Sequence, residues 1–452
     1  VPCFWHSPIQ AGDLGSHVYN AWLVQLIERG DAPGLWVSNQ WQNILFDVAL
    51  VNLEKALGLA FAEKLAVSAS VLIFFWGSFS LASAVALRPA WNVVPCLAMF
   101  AYGWTFQMGL FNYYLSLGFA FLGISLLWRC RGYERGCAFL FVPFIWIAHP
   151  LGLVFLASAA LWILVTEKAS FRRQVLWAIA AIAVILSVRF FLVSSVRVFW
   201  SLEPRYLFTG FDQLLLYGTR YQLPAYLLAT FTVLSMSLDI YCRRRAHQPL
   251  TGYILPLQLY GLVLATIHLL PKGFFWSRYA APSSFITERL PLICAAIICC
   301  LLAVMKPRRW HVVCSVAIGA VFFSFLYGDT AKLNHMEQQI YGLVRTLPQG
   351  ARVIAAIPPF TGSRVLTHHI VDRACIGQCF SYGNYEPSAG QFRVHAQPGN
   401  AFVLANAHDA EAVLRGLYIV RSEDLPLYLI HLCAANSAEF CVRDLPTGPM
   451  LP

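Results

Sequence analysis

Between Arg88 and Arg131 the chain reads RPAWNVVPCLAMFAYGWTFQMGLFNYYLSLGFAFLGISLLWRCR, and the fold turns on how often this run crosses an apolar layer. As one helix, residues 91–128 would reach about 57 Å at 1.5 Å per residue, against a hydrocarbon core of about 30 Å. The run must therefore turn, and Gly109 with Asn112 marks the place. Two segments result, 91–108 and 111–128, and Arg88 then faces the same side as Arg129 and Arg131.

The same reasoning extends outward. Apolar segments lie at 65–87, 91–108, 111–128, 137–148, 150–166, 174–196, 224–242, 251–270, 288–305 and 310–327. The break His149–Pro150 divides 137–166 into two short helices, of which 137–148 is short enough to be partial or re-entrant. With both runs turning, Arg88, Arg129, Arg131, Arg135, Lys168, Arg172, Arg173, Arg243, Arg244, Arg245, Lys306, Arg308 and Arg309 all face one side. Reading 137–166 as a single span would send the last two clusters across, against the tendency of basic loops to stay cytoplasmic. The expectation is an α-helical polytopic membrane protein of about ten spans.

Composition agrees. Of 452 residues 58% are hydrophobic and only 12% charged, too few polar groups to cover a water-soluble body of this size. The net charge of +10 is spread over short inter-span clusters rather than a patch with interleaved aromatics, which excludes a nucleic-acid partner and leaves the lipid bilayer as the expected one. Beyond the last span, residues 328–452 have ordinary soluble composition. A helical start at 329–346, the strand-like Arg352–Ile357 and apolar runs at 401–405 and 416–420 predict a small α/β module. Residues 1–62 read as a loop at the membrane interface, with helices at about 14–29 and 43–57 around a Gly30–Gly34 breaker and tryptophans at 5, 22, 36 and 41. The domains are thus 1–62, 63–327 and 328–452, with the first loop and the module together opposite the basic clusters.

Of thirteen cysteines, most sit in apolar runs and behave as small hydrophobes. Cys375, Cys379, Cys433 and Cys441 lie in the module. On an oxidising face they can pair neighbour with neighbour; zinc ranks second, because their spacing lacks a CxxC knuckle. The adjacent His368 and His369 are weak metal-ligand candidates for want of a spaced carboxylate or thiol.

In the first loop Asp13, His17 and Asn20 share one face of a helix. A carboxylate beside an imidazole can act as a general base or hold a divalent cation; the plain alternative is that Asp13 caps the helix. The outer loops also carry Arg197, Arg205, Arg220, Lys272, Arg278 and Arg289, with Glu203 and Glu288 beside them. Arginine forks suit a lipid phosphate, while headgroup contacts or internal ion pairs account for such cations equally well. His149, at its helix break, is placed to line a cavity with Asn20 and Glu203. No phosphate-binding glycine loop, HExxH or GxSxG occurs in a credible setting.

The segment Gly12–Asp13–Leu14–Gly15–Ser16–His17–Val18–Tyr19–Asn20–Ala21 resembles the acidic first loop of the glycosyltransferase C superfamily. Gly30–Pro33, Leu53–Gly58, Gly109–Tyr114 and Ala148–Pro150 resemble further turns of bacterial members. The likeness is architectural over most of the membrane part, and only the Asp13 region approaches a motif; Leu14 stands where many members pair a second acid. It implies transfer of a sugar from a polyprenyl-phosphate carrier to an acceptor outside the plasma (inner) membrane, with the C-terminal module periplasmic. Asp13 would be the base or the ligand of a divalent cation (Mg or Mn), His17 would support it, and Arg205, Arg220, Lys272 or Arg278 would hold the carrier phosphate. In the family a span precedes the acidic loop; here it would lie before Val1, and the residues from Val1 onward do not read as a signal peptide. The rival expectation is a non-catalytic subunit of a larger membrane complex built on this fold, since fold alone does not carry activity.

Overall fold

A computed structural model describes residues 2–130, 132–201, 208–276, 283–357, 362–367, 369–434 and 439–450. Among the described residues seven helices are long and apolar enough to cross a membrane: Leu59–Ala86, Phe111–Arg129, Phe171–Ser195, Thr219–Arg245, Thr251–Leu269, Ile286–Val304 and Arg309–Val344. The protein is a helical, multi-pass membrane protein.

Three of the ten expected segments do not form such a helix. Residues 91–108 break into Val94–Ala101 and Trp104–Gln107 at an extended Gly103, where a Cβ would lie 2.8 Å from the Gln213 carbonyl oxygen. Residues 137–148 form a 3-10 stretch ending at Phe141 and the two-turn helix Val142–Ala148. Pro150–Thr166, at about 25 Å, is short of a full crossing. The broken run nevertheless links the two ends of the bundle. Asn92 donates to the Leu302 carbonyl at one end, and the Met108 carbonyl accepts from Asp13 at the other.

The ends are chemically distinct. Arg88 donates to the carbonyls of Ala303 and Met305, and Arg243 pairs with Asp239 and reaches the Val304 carbonyl. Arg135 pairs with Glu167. Basic residues from several loops thus close one end of the bundle. Phe171–Ser195 stands apart with no buried residue, a surface suited to lipid.

The opposite end carries the first loop and the module. Helices Leu14–Arg29 and Leu45–Leu57 flank a breaker in which Gly30 adopts the left-handed conformation. Leu14–Arg29 is buried over most of its length. The last helix, Arg309–Val344, continues without interruption through residues 327 and 328 into the module. There a four-stranded sheet has the order Cys379–Ser381, Ala351–Ala356, Leu427–Leu432, Phe440–Asp444, the first three strands parallel and the last antiparallel. Residues 401–405 form no strand and pack Val403 and Leu404 inward as a loop, while Ile419–Val420 is a short strand. Cys375–Cys379 and Cys433–Cys441 are disulfide-bonded.

Two devices fasten the module to the first loop. Strand Leu35–Val37 pairs antiparallel with Val394–Ala396. Arg373 forks onto both carboxylate oxygens of Glu63 at 2.9 Å and lies 3.1 Å from Glu337, which also accepts from Gln10 at 2.6 Å. The first loop and the module therefore sit on one side of the bundle.

Candidate functional site

The backbone sets the stage at the start of the first helix. Gly12 and Asp13 donate to the carbonyls of Gln107 and Met108 at 2.6 and 3.0 Å, so the loop runs along the turn between two membrane segments. Gly109 makes that turn with φ +78°, and a Cβ there would lie 2.6 Å from the Asp13 nitrogen. Glycine alone fits. Asp13 occupies the N-cap position of Leu14–Arg29, yet its side chain makes no capping hydrogen bond.

The expected Asp13–His17 pair is not formed. His17 Nδ1 instead lies 2.6 Å from Asp47 Oδ1, and Nε2 lies 3.2 Å from the Gly109 carbonyl. Asp47 is supplied by the second loop helix and held by Asn112, whose amide donates at 2.7 Å. Helical spacing brings Asp13 and His17 to one face, but the neighbouring helix provides a better-placed carboxylate. Burial alone would lower the His17 pKa; Asp47, with Glu386 and Asp13 behind it, outweighs burial and raises it to about 10. Asn20 donates to the Ser16 carbonyl and hydroxyl, and the Ser16 hydroxyl donates to Glu386 Oε1 at 3.0 Å. Burial pushes the Glu386 carboxyl up to about 7, with His17 opposing. Asn20, Asp47, Glu386 and Arg393 line a pocket of about 10 Å³, the room of one water.

Asp13 faces the module. Its Oδ1 lies 3.5 Å from His369 Nε2, and its side chain keeps 16% exposure. His369 Nδ1 lies 2.9 Å from Asp372 Oδ2, and the Ser381 hydroxyl donates to Asp372 Oδ1 at 2.5 Å. Burial opposes the charged imidazole, and Asp372 with Asp13 overcomes it, so the His369 pKa is raised. Gly15 permits this docking, since a Cβ there would lie 2.2 Å from the His369 carbonyl oxygen. On the membrane side Arg289 lies within electrostatic reach of Asp13, Tyr385 and Glu288. Its Nη1 lies 3.2 Å from His149 Nε2, and its buried Nε has no hydrogen-bond partner among the described residues. Tyr113 donates to the Arg289 carbonyl at 3.0 Å.

The expected phosphate ligands are differently disposed. Arg220 forms an ion pair with the buried Asp329, and Lys272 lies 3.1 Å from Glu288. Each is already neutralised by a carboxylate, the internal ion pair weighed at the outset. Arg205, Glu203, Arg278 and His368 lie outside the described residues. His149 is turned to Arg289 rather than to Asn20. Among the described residues no group of three His, Cys, Asp or Glu side chains is placed to hold a metal ion by itself, and Asp13 has the His369 imidazole beside it.

Arg289, Asp47, Glu386 and Asp372 were not selected by sequence reasoning. Arg289 stood among the outer cations without distinction, and His369 only as a weak metal ligand. Both become notable through Asp13, from which they are 276 and 356 residues away in the chain (289 − 13 and 369 − 13). No known protein family, curated protein or solved structure matches the chain.

Proposed function

We propose that this protein is a membrane glycosyltransferase-like enzyme that takes a sugar from a polyprenyl-phosphate carrier on the external face of the plasma (inner) membrane. The observation that carries the reading is Asp13, a partly exposed carboxylate at the head of a buried helix that spends neither oxygen on capping it. An unpaired guanidinium nitrogen of Arg289 lies on its membrane side. In the reaction the acceptor hydroxyl oxygen bonds to the anomeric carbon as the carbon–oxygen bond to phosphate breaks. The bonding pair leaves with the polyprenyl phosphate, and the hydroxyl proton passes to the Asp13 carboxylate. Arg289 Nε–H meets the charge that gathers on the departing phosphate, where a donor fixed in advance is most effective. Disulfides in the module suit a periplasmic or extracellular location.

The test is release of polyprenyl phosphate from a synthetic polyprenyl-phosphate-linked hexose by the full chain in proteoliposomes, with an extract of the source membranes as acceptor. Asp13→Ala should lower the rate about 10²–10⁴-fold, the usual contribution of a general base. An undiminished rate in that variant rejects the assignment.

A second reading is a non-catalytic subunit of a larger membrane complex. The observation favouring it is the close filling of the seam: the pocket lined by Gly12, Gly15, His369 and Arg373 holds about 10 Å³, far below a sugar. Purification at fixed stoichiometry with other membrane proteins, unaffected by Asp13→Ala and without turnover, would select it.

A further inference from the structure

Among the described residues, Asp13 forms an ion pair with the module at His369. The segment from His369 to Ser381 forms a closed circuit with the first helix: Asp13 Oδ1 to His369 Nε2 at 3.5 Å, His369 Nδ1 to Asp372 at 2.9 Å, and Asp372 to the Ser381 hydroxyl at 2.5 Å. The Ser381 backbone amide then donates to the Tyr19 hydroxyl at 3.0 Å, back on the helix that Asp13 begins. We propose that His369 is the positioning residue for the Asp13 carboxylate, so that the C-terminal module completes the acidic site rather than merely covering it. This rests on the transferase reading, in which Asp13 acts as base.

Three features argue for a positioning role. An aspartate at an N-cap ordinarily turns its oxygens onto the helix amides, and Asp13 does not. The pull comes from the imidazolium, which turns Nδ1–H to Asp372 and so presents its Nε2–H to Asp13 as an ion pair. The arrangement resembles carboxylate–imidazole pairs in which a buried acid fixes the ring for the work of its far nitrogen. Second, the parts holding Asp372 are themselves fixed: helix Ile370–Ala374 and strand Cys379–Ser381 are joined by the Cys375–Cys379 disulfide. Third, the approach is built into the backbone. Gly15 leaves no room between the first helix and the His369 carbonyl, and the Tyr385 ring packs 5.1 Å from the imidazole.

The experiment compares His369→Ala, His369→Gln and Asp372→Asn in the full chain, using the hexose-linked carrier described above. His369→Ala should lower kcat about 100-fold with KM for the carrier unchanged, as expected when an oriented base is let loose. His369→Gln keeps an N–H for Asp13 and should recover about tenfold of that loss; Asp372→Asn should show a smaller fall. A folded His369→Ala protein with kcat within twofold of the parent, or with its whole loss in KM, overturns the proposal. Should the alanine variant not fold, a glutamine variant that folds and gains nothing from its N–H, performing no better than Asp13→Ala, overturns it equally. A second measurement does not need turnover: in ¹⁵N-histidine spectra of the full chain in micelles, Asp13→Asn should shift the His369 Nε2 resonance. An unmoved resonance refutes the contact, whereas a moved resonance without turnover in the parent refutes only the transferase reading.

Discussion

His17, through the Asp47 carboxylate, and Glu386, through burial, become sensors of pH at the seam between first loop and module. Both groups hold protons more tightly in the folded protein than in the unfolded chain, His17 to about 10 from 6.5 and Glu386 to about 7 from 4.5. Where the folded state binds more protons, stability falls as pH rises. The Glu386 contribution is complete below pH 4.5 and lost as pH passes 7; that of His17 is complete below 6.5 and lost as pH passes 10. Between about pH 4.5 and 10 these two groups should lower the thermal midpoint as pH rises, and Glu386→Gln should flatten the 4.5–7 part; below that range Asp47, whose pKa the His17 imidazole lowers, loses its contribution as it takes up a proton. His17→Ala leaves Asp47 buried without its cation, and removing one member of a buried pair costs about 3–5 kcal/mol. Denaturant titration in micelles would read that loss. Asp47→Asn should cost less, because the amide still bonds Asn112 and places no charge in the seam.

Among the elements, the turn Gly109–Asn112 and the head of the first helix are the tightest contacts at the site. Gly109→Ala would place a Cβ 2.6 Å from the Asp13 nitrogen at a backbone angle that alanine resists. Gly15→Ala would drive a Cβ to 2.2 Å from the His369 carbonyl oxygen. Each should destabilise by about 1–3 kcal/mol, the usual penalty for overpacking. Their effects should differ in place: Gly15→Ala should raise amide exchange in 369–374 and leave the Gly109 turn protected, and Gly109→Ala the reverse. Equal, global loss of protection in both would show that the two contacts are not separate.

For the molecule as a whole, the shared side of the first loop and the module is the decisive arrangement. It is held by the strand pair Leu35–Val37 with Val394–Ala396 and by the Arg373–Glu63–Glu337 cluster. Arg373→Met should loosen the module by about 3–5 kcal/mol, since two buried carboxylates lose their cation, and limited proteolysis should then cut near 345–350. Single cysteines at Asp31 and Glu411, both exposed, should react with an impermeant maleimide from the same side of sealed vesicles. A cysteine at Lys168 should react only from the other side. Opposite labelling of Asp31 and Glu411 would contradict the fold described.

Much of this plan was legible in the chain itself. Low charge, long apolar runs and the segregation of arginines and lysines identify a multi-pass protein, because lipid penalises charge at every exposed position and each residue registers that penalty separately. Helix breakers at Gly30 and Gly109 were legible for the same local reason. The span count was not, because apolar composition does not show that 91–108 breaks at the extended Gly103 or that 137–148 and 150–166 form helices too short to cross. The site was legible only in Asp13. Its neighbours Arg289 and His369, and the choice of Asp47 rather than Asp13 as partner of His17, depend on which helices pack together. The chain dictated what each segment must bury; packing alone decided which buried charges would face each other.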